Sequence, residues 1–592
     1  MTQLLCLVGG ATFGKDYQSR REVKKQLSRC ASDFLVWFVK YCKDLHLTFS
    51  VDKTTCMFFW ERWEKPQNIP VKIDCPELGK FHGLELVTLH DDPVRLLGIY
   101  LDPFLNFNAH VDKVVKKCDV GINMMRGLAG SGWGMRGKLL KIIFNGLIES
   151  VLFYGLEIWG HAALSKRNLK KIRRIFAHGS RAVCRGSRSA SFEGVMACAG
   201  IIPPEFRIRQ LLANRYLSNK WFQRKLDKEM QSNCYSGPHI KAAATSIREM
   251  GLERFVGKVE EKFKFLLRDT EAEVVLKGET FQWRPCLRIY TDGSKSKRGV
   301  GCGLVVYDHL GNRLYDWKVK LNHESEIFQA ELRALREAIQ LAWQWGVEVD
   351  IFSDSLSVLQ NVRTARKGTA QLLDLIQNWP PGVRAIWVKA HKGLPGNEDA
   401  DGVAKESVVQ AGVRREQLSY SVGTVRRLTQ KWAMREWAKK WRSLEASTSD
   451  MKKFFPELKD FKQMWKKGLW HWTTTSMVLG RLPLNGAYVG QFDEEKESEF
   501  CDCGLNQVET SDNFLFQCPK YEHLRLGWRW SHVSKVEKRY RWFAEHLLDI
   551  RSFIQKTKRF DDKKTKADNA KLKTKANNAK LKTKANNAKL KT

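Results

Sequence analysis

The segment CLRIYTDGS, residues 286–294, is followed by VGCGLVVYD at 300–308 and RLYDWKVKL at 313–321. Each is a run of β-branched and aromatic residues separated from the next by Gly- or Asn-containing turns, so the three read as consecutive strands of an antiparallel meander. A helix follows from about Ser325 to Trp345, then a strand VEVDIFSD (347–354), two short helices, a strand VRAIWVKA (383–390) and a last helix opening at PGNEDADGVAK (395–405). The order βββαβαβα is solved most economically by a mixed five-stranded sheet with helices on its faces, an α/β fold.

Four acids stand at pointed places in this block. Asp292 follows the strand LRIY, Glu331 sits in the first turns of the long helix, Asp354 ends DIFSD, and Asp401 lies on the last helix. Two strand ends and two helix positions can gather carboxylates that are far apart in sequence. Paired divalent ions about 3.5–4 Å apart need several anionic oxygens, and hard oxygen ligands point to Mg²⁺ or Mn²⁺. Without cations, four converging carboxylates repel and hold protons above their ordinary pKa. A single Asp after a strand is commonly a turn residue or a helix cap; the joint pattern is what carries the reading.

YTDGS, FQAEL, IFSDS and KAHKGLPGNEDAD occur in that order between residues 290 and 401. This block, residues 286–410, resembles the type 1 ribonuclease H family. The resemblance implies the ribonuclease H fold, with Asp292, Glu331, Asp354 and Asp401 on the family's metal-binding acids and two Mg²⁺ or Mn²⁺ ions as cofactors. It places His391 on the family's mobile histidine, for proton transfer or product release. Asp399 lies two residues before Asp401 and faces another side of the helix. The implied activity is endonucleolytic cleavage of the RNA strand of RNA–DNA hybrids, recognised by 2′-hydroxyls and minor-groove shape.

The chain has 592 residues, 43% apolar and 28% charged, with 101 Lys+Arg against 65 Asp+Glu, a net charge of +36. That length implies several domains, and the apolar share excludes disorder of the whole chain. No run of about 18 apolar residues argues for a membrane span, and MTQLLCLVGG lacks the parts of a signal peptide, so an intracellular setting, nucleus or cytoplasm, is expected. The fourteen cysteines are scattered, as reduced thiols are. Excess positive charge of this size suggests a nucleic-acid partner. It is uneven: residues 1–285 carry +17, which Lys113–Lys228 alone accounts for, residues 286–410 only +1, residues 411–555 +7 and the tail +11. Grip is therefore expected mainly outside the catalytic block, although charge runs are also simply solvated faces.

The flanks divide into 1–110, 111–285, 411–555 and 556–592. Residues 22–46 have amphipathic helical spacing, 56–60 read as a strand, RLLGIYLD (95–102) as a strand ending in a turn, and about 110–129, 136–154 and 165–182 as basic helices. HLTFSVDKTTCMFF, RLLGIYLDPFLNFNAHV, VLFYGLEIWG and ASFEGVMACAGIIPP together resemble the distal part of a non-LTR (LINE-type) retrotransposon reverse transcriptase. That implies a palm remnant over 1–110, with Lys53 after the polymerase site and Leu97 and Gly98 in the primer-gripping hairpin. A helical thumb and connection over 111–285 would hold the duplex. The family's paired palm aspartates fall at or before Met1–Gln3 and no acid precedes Asp16, so a truncated polyprotein without polymerase activity is expected.

In 411–555, tryptophans alternate with lysines in WAMREWAKKW (432–441) and MWKKGLWHW (464–472). They either stack bases or pack a core with Lys stems outward, and the helical spacing favours the core. CDCGLNQVETSDNFLFQCPKY (501–521) resembles the CxC…H…C motif of this retrotransposon class, with Asn513 where the His is expected. Cys501, Cys503, Cys518 and a displaced His523 make a weak zinc site, since Asn is a poor zinc ligand. The tail repeats KLKTKANNA from Lys571, Lys580 and Lys589. It has little to bury and reads as disordered, an electrostatic arm or a translated tandem repeat. Two readings of function stand at this point: a hybrid-cleaving nuclease, or a retroelement remnant that binds nucleic acid without cutting it. Oligomeric state is open.

Overall fold

The computed structural model describes residues 17–46, 55–57, 59, 71–83, 85–89, 93–129, 134–231, 237–260, 263–264, 272–364, 367–444, 451–467, 470–482, 484, 500–526, 528 and 545–560. Lys53 and the repeats from Lys571 lie outside the described residues. The chain forms two compact units, residues 209–434 and residues 1–208 with 435–592.

In the unit 209–434 the strands are β1 (Glu273–Val275), β2 (Leu287–Ser296), β3 (Gly299–Tyr307), β4 (Arg313–Leu321), β5 (Val349–Ser353), β6 (Val383–Trp387) and β7 (Arg415–Glu416). They form one sheet in the order β7-β4-β3-β2-β5-β6-β1. The meander β2-β3-β4 is antiparallel, whereas β5, β6 and β1 run parallel to β2. The sheet is therefore mixed as expected, but it has seven strands rather than five. β1 and β7 are too short to show a period, and they pair only because the sheet edges offer free backbone groups.

Helices α1 (Ile327–Trp345), α2 (Leu356–Thr364) and α3 (Ala370–Gln377) cover one face, and α4 (Pro395–Val409) the other. Strand alternation explains the split. Ile289, Leu304 and Ile351 point to the core under α1, α2 and α3, while their neighbours Tyr290, Val305 and Phe352 pack with Ala400 and Val403 of α4. α1 starts at a capping box in which Glu326 and Gln329 satisfy each other's backbone N–H groups, and it stops at Gly346 in the left-handed conformation. α4 opens with Pro395 at its first position. α5 (Val422–Ser443) follows β7.

The other unit is mainly helical. Helices Asn108–Ala129 and Lys166–Cys184 pack side by side, joined by Asn168 Nδ2 donating to Asn108 Oδ1 at 2.9 Å and by the pairs Lys171–Asp112 and Arg174–Asp119. The long helix expected over 136–154 is broken: Gly137–Ile143 runs into a π turn at Phe144–Glu149. RLLGIYLD is a hairpin of two short strands, with Leu97 and Gly98 at positive φ in its turn. Within 435–592, Trp437, Trp441 and Trp470 are buried, and the indoles of Trp441 and Trp470 donate to the carbonyls of Phe455 and Cys198. These tryptophans are core.

Candidate active site

β2 and β5 are adjacent and parallel, and Thr291 pairs with Ser353. Asp292 and Asp354 each come one residue later, so the strand register sets them side by side; Asp354 directly follows the end of β5, but Asp292 lies inside β2, which runs on to Ser296, and is not at the strand end its motif suggests. Gly293 then lets α1 approach β2 closely: a Cβ there would lie 2.8 Å from the Glu331 backbone nitrogen. Glu331 is thereby delivered to the two aspartates, and one carboxylate oxygen from each of Asp292, Glu331 and Asp354 lies within 4.8 Å of the others.

Asp401 comes from the opposite face, on α4, and stands outside this trio. Its Oδ2 accepts from Lys405 Nζ at 2.6 Å, one turn further along the helix, and its charge still reaches Asp292 and Asp354. Asp399 is turned away and accepts from the Tyr307 hydroxyl. His391 is exposed on the loop between β6 and α4 at φ 53°, and its ring is near enough to Asp354 to lower that carboxyl's proton affinity.

The electrostatics are those of crowded carboxylates. Burial first, then Asp354 and Asp401, push Asp292 up to about 7. Burial, Asp292 and Asp354 hold Glu331 well above the usual carboxylate range, and burial raises Asp354. Glu331 Oε2 is buried with no hydrogen-bond partner. A set of hard oxygens, one lacking any donor and all resisting charge, fits a divalent cation well.

Asn397, in the first turn of α4 and 4% exposed, was not among the sequence candidates. Its side chain hydrogen-bonds the Asp354 carboxyl, and its Oδ1 has no partner. It sits inside the stretch PGNEDAD, but an Asn near a helix start reads as a cap, and only the fold turns it toward Asp354.

The cysteine cluster lies in the other unit. The sulfurs of Cys501, Cys503 and Cys518 lie within 4.8 Å of one another, with Cys501 and Cys518 at 3.5 Å. Burial pushes Cys501 up to about 12, while the Leu505 backbone N–H lowers Cys503. His523, exposed on the turn Pro519–Leu524, is not in this group, and the Asn513 amide donates instead to Gln507 Oε1. Three thiols are one ligand short of the usual four for structural zinc.

The RNase H family profile matches residues 285–409. Ribonuclease H of Stutzerimonas stutzeri (strain A1501) is 30% identical over 145 residues, covering 21% of this chain and 93% of that protein. The Retrovirus-related Pol polyprotein from type-1 retrotransposable element R1 3 of Nasonia vitripennis is 23% identical over 158 residues, 26% of this chain and 38% of that one. The chain spans less than half the length of the retroelement relatives it matches. RNase H1 from the halophilic archaeon Halobacterium salinarum NRC-1 aligns at 20% identity with 21% of this chain and 96% of its own, at a TM-score of 0.18. A mixed sheet that brings Asp292, Glu331 and Asp354 together, inside a segment matched over nearly the full length of a ribonuclease H, places the protein: through residues 285–409, the chain belongs to the ribonuclease H family.

Proposed function

We propose that the protein is a metal-dependent endonuclease that cleaves the RNA strand of RNA–DNA hybrids, carried within a retroelement polyprotein. The observation that supports it most is the convergence of Asp292, Glu331 and Asp354 with a buried, unpartnered Glu331 oxygen. These three carboxylates, with Asp401 beside them, would hold two Mg²⁺ or Mn²⁺ ions. Bound there, such ions supply an activated water and a clamp on the leaving oxygen of an in-line displacement. The chain's own groups have separate tasks. Asn397 orients Asp354, Lys405 holds Asp401, and His391, on its exposed loop, carries protons to or from the departing phosphate. Recognition of a hybrid rests on 2′-hydroxyls and groove shape, without base sequence.

The test is cleavage of a labelled RNA–DNA hybrid by the full chain with and without Mg²⁺. Activity is expected only with the metal, and Asp292→Asn is expected to fall to the no-enzyme background. Cleavage that persists in that variant would rule out the carboxylate assignment, and binding of hybrid with no cleavage by the parent chain would leave a binding protein.

A further inference from the structure

The family-matched block is nearly neutral, +1 over residues 286–410, so a polyanion must be held by something close to it. The leading end of α1 is where cations from three segments meet. Lys295, in the last turn-ward residues of β2, donates from Nζ to the Ser325 carbonyl at 2.5 Å. His323 Nε2 is 3.3 Å from the Lys297 carbonyl. From beyond the matched segment, the first turn of α5 closes on the same loop: Thr424 Oγ1 donates to the Glu324 carbonyl at 2.9 Å, and a Cβ on Gly423 would lie 2.4 Å from Glu326 Oε1.

This junction brings Arg427 of α5 to Lys295 and His323 to Lys297, while Arg426 precedes Arg427 on α5 and Arg298 follows Lys297 in the turn after β2; all six side chains are exposed. Arg427 is close enough to Lys295 for the two cations to oppose each other, with Glu326 in partial compensation. The nearby acids are already engaged: Glu324 binds Arg254 at 2.5 Å and Glu326 serves the capping box of α1. Like charges held together with only partial compensation cost free energy that an arriving anion relieves. Glu331 is five residues into α1 from Glu326, roughly 7.5 Å at 1.5 Å per residue. That separation is short enough for one bound duplex to reach both the carboxylates and this end of the helix.

We propose that this junction is a phosphate-binding surface for the nucleic-acid backbone, and that Arg426 and Arg427 supply its outer half. The proposal deepens the nuclease reading above and rests on it for the substrate. The surface grips by charge and carries no sequence preference, so its contribution is a counterion-release term.

The experiment uses the full chain carrying Asp292→Asn, so that hybrid is not consumed, and follows the anisotropy of a fluorescein-labelled RNA–DNA hybrid across a series of KCl concentrations. The double substitution Arg426→Ala with Arg427→Ala is expected to weaken binding several-fold at low salt and to make the slope of log affinity against log salt shallower by roughly 1.8, for two phosphate contacts on a duplex. Arg427→Lys is expected to keep the slope, because the charge remains. The control pair Arg414→Ala with Arg415→Ala removes two exposed charges at the β7 edge and is expected to leave affinity nearly unchanged. An unchanged slope in the 426/427 variant overturns the proposal, and so does an equal loss in the control. Cleavage by the unsubstituted chain is measured in parallel: a chain that binds hybrid without cutting it removes the nuclease reading, while the slope comparison still decides this surface.

Discussion

Asp292 stands where burial, Asp354 and Asp401 all oppose its charge. In the metal-free protein its folded pKa of about 7 exceeds the ordinary 3.8, so between those values the folded state binds more protons than the unfolded state. Stability therefore falls as pH rises across that window. Thermal melts in EDTA are expected to drop from pH 4 to pH 7, Asp292→Asn is expected to flatten that drop, and added Mg²⁺ is expected to restore stability at pH 7. A melt that stays level in the unsubstituted chain would show that these carboxylates are not crowded in solution. At this scale the sequence was legible for Asp354, which IFSDS places at a strand end, and only in part for Asp292, since the strand through YTDGS runs on to Ser296. Asn397 was not, because an amide acquires its task only from the carboxylate it happens to face.

The elements position these residues through close approach rather than through any one strong bond. Gly293 lets α1 lie against β2, and Gly303 does the same for α4 against β3, where a Cβ would sit 2.6 Å from Val403 Cγ1 and 3.0 Å from the Ala404 nitrogen. Gly293→Ala must push α1 away, and with it Glu331. It is expected to cost about 1–3 kcal/mol in stability, as overpacking does, and to lower cleavage more than that loss explains, with a higher Mg²⁺ requirement. Urea unfolding beside a Mg²⁺ titration of activity measures both; an unaltered Mg²⁺ requirement would mean that α1 relaxes without moving Glu331. Strand and helix order in this block followed from periodicity, but the broken helix at Phe144–Glu149 did not, since its apolar pattern runs through the π turn unchanged.

For the whole molecule, the sheet does not end where the family resemblance begins. β1 pairs with β6, and Arg284, just before the block, donates to Asp350 at 2.9 Å; Arg384 donates to the same carboxylate, which is 1% exposed. A fragment cut at 286–410 loses β1, β7 and the Arg284 bonds. We expect it to unfold at lower urea than 272–416, by roughly 1.5–3 kcal/mol for each charge-assisted bond lost at Asp350. Equal midpoints would mean that Arg384 alone satisfies the carboxylate. Charge also reads differently over the full chain. Within the basic stretch Lys113–Lys228, Lys171, Arg173, Arg174 and Arg207 are spent on Asp112, Glu193, Glu205, Asp119 and Glu149. Part of the excess there is structural, and less is left for phosphate than the count suggests.

What the sequence determined by itself was the order of strands and helices in residues 286–410, because alternation, helical period and turn chemistry are local; the four acids it offered as candidates, through the family resemblance. What only the tertiary structure decided was which of those acids meet and what surrounds them. The pairing of Thr291 with Ser353 and the approach of α1 over Gly293 join Asp292, Glu331 and Asp354, while Asp401, bonded to Lys405, stands outside that trio. The contacts that add β1, β7, Arg284 and the α5 arginines to the catalytic unit span tens of residues and leave no periodic trace. They depend on free sheet edges, on one loop meeting one helix end, and on which charges remain unmatched once the chain has folded.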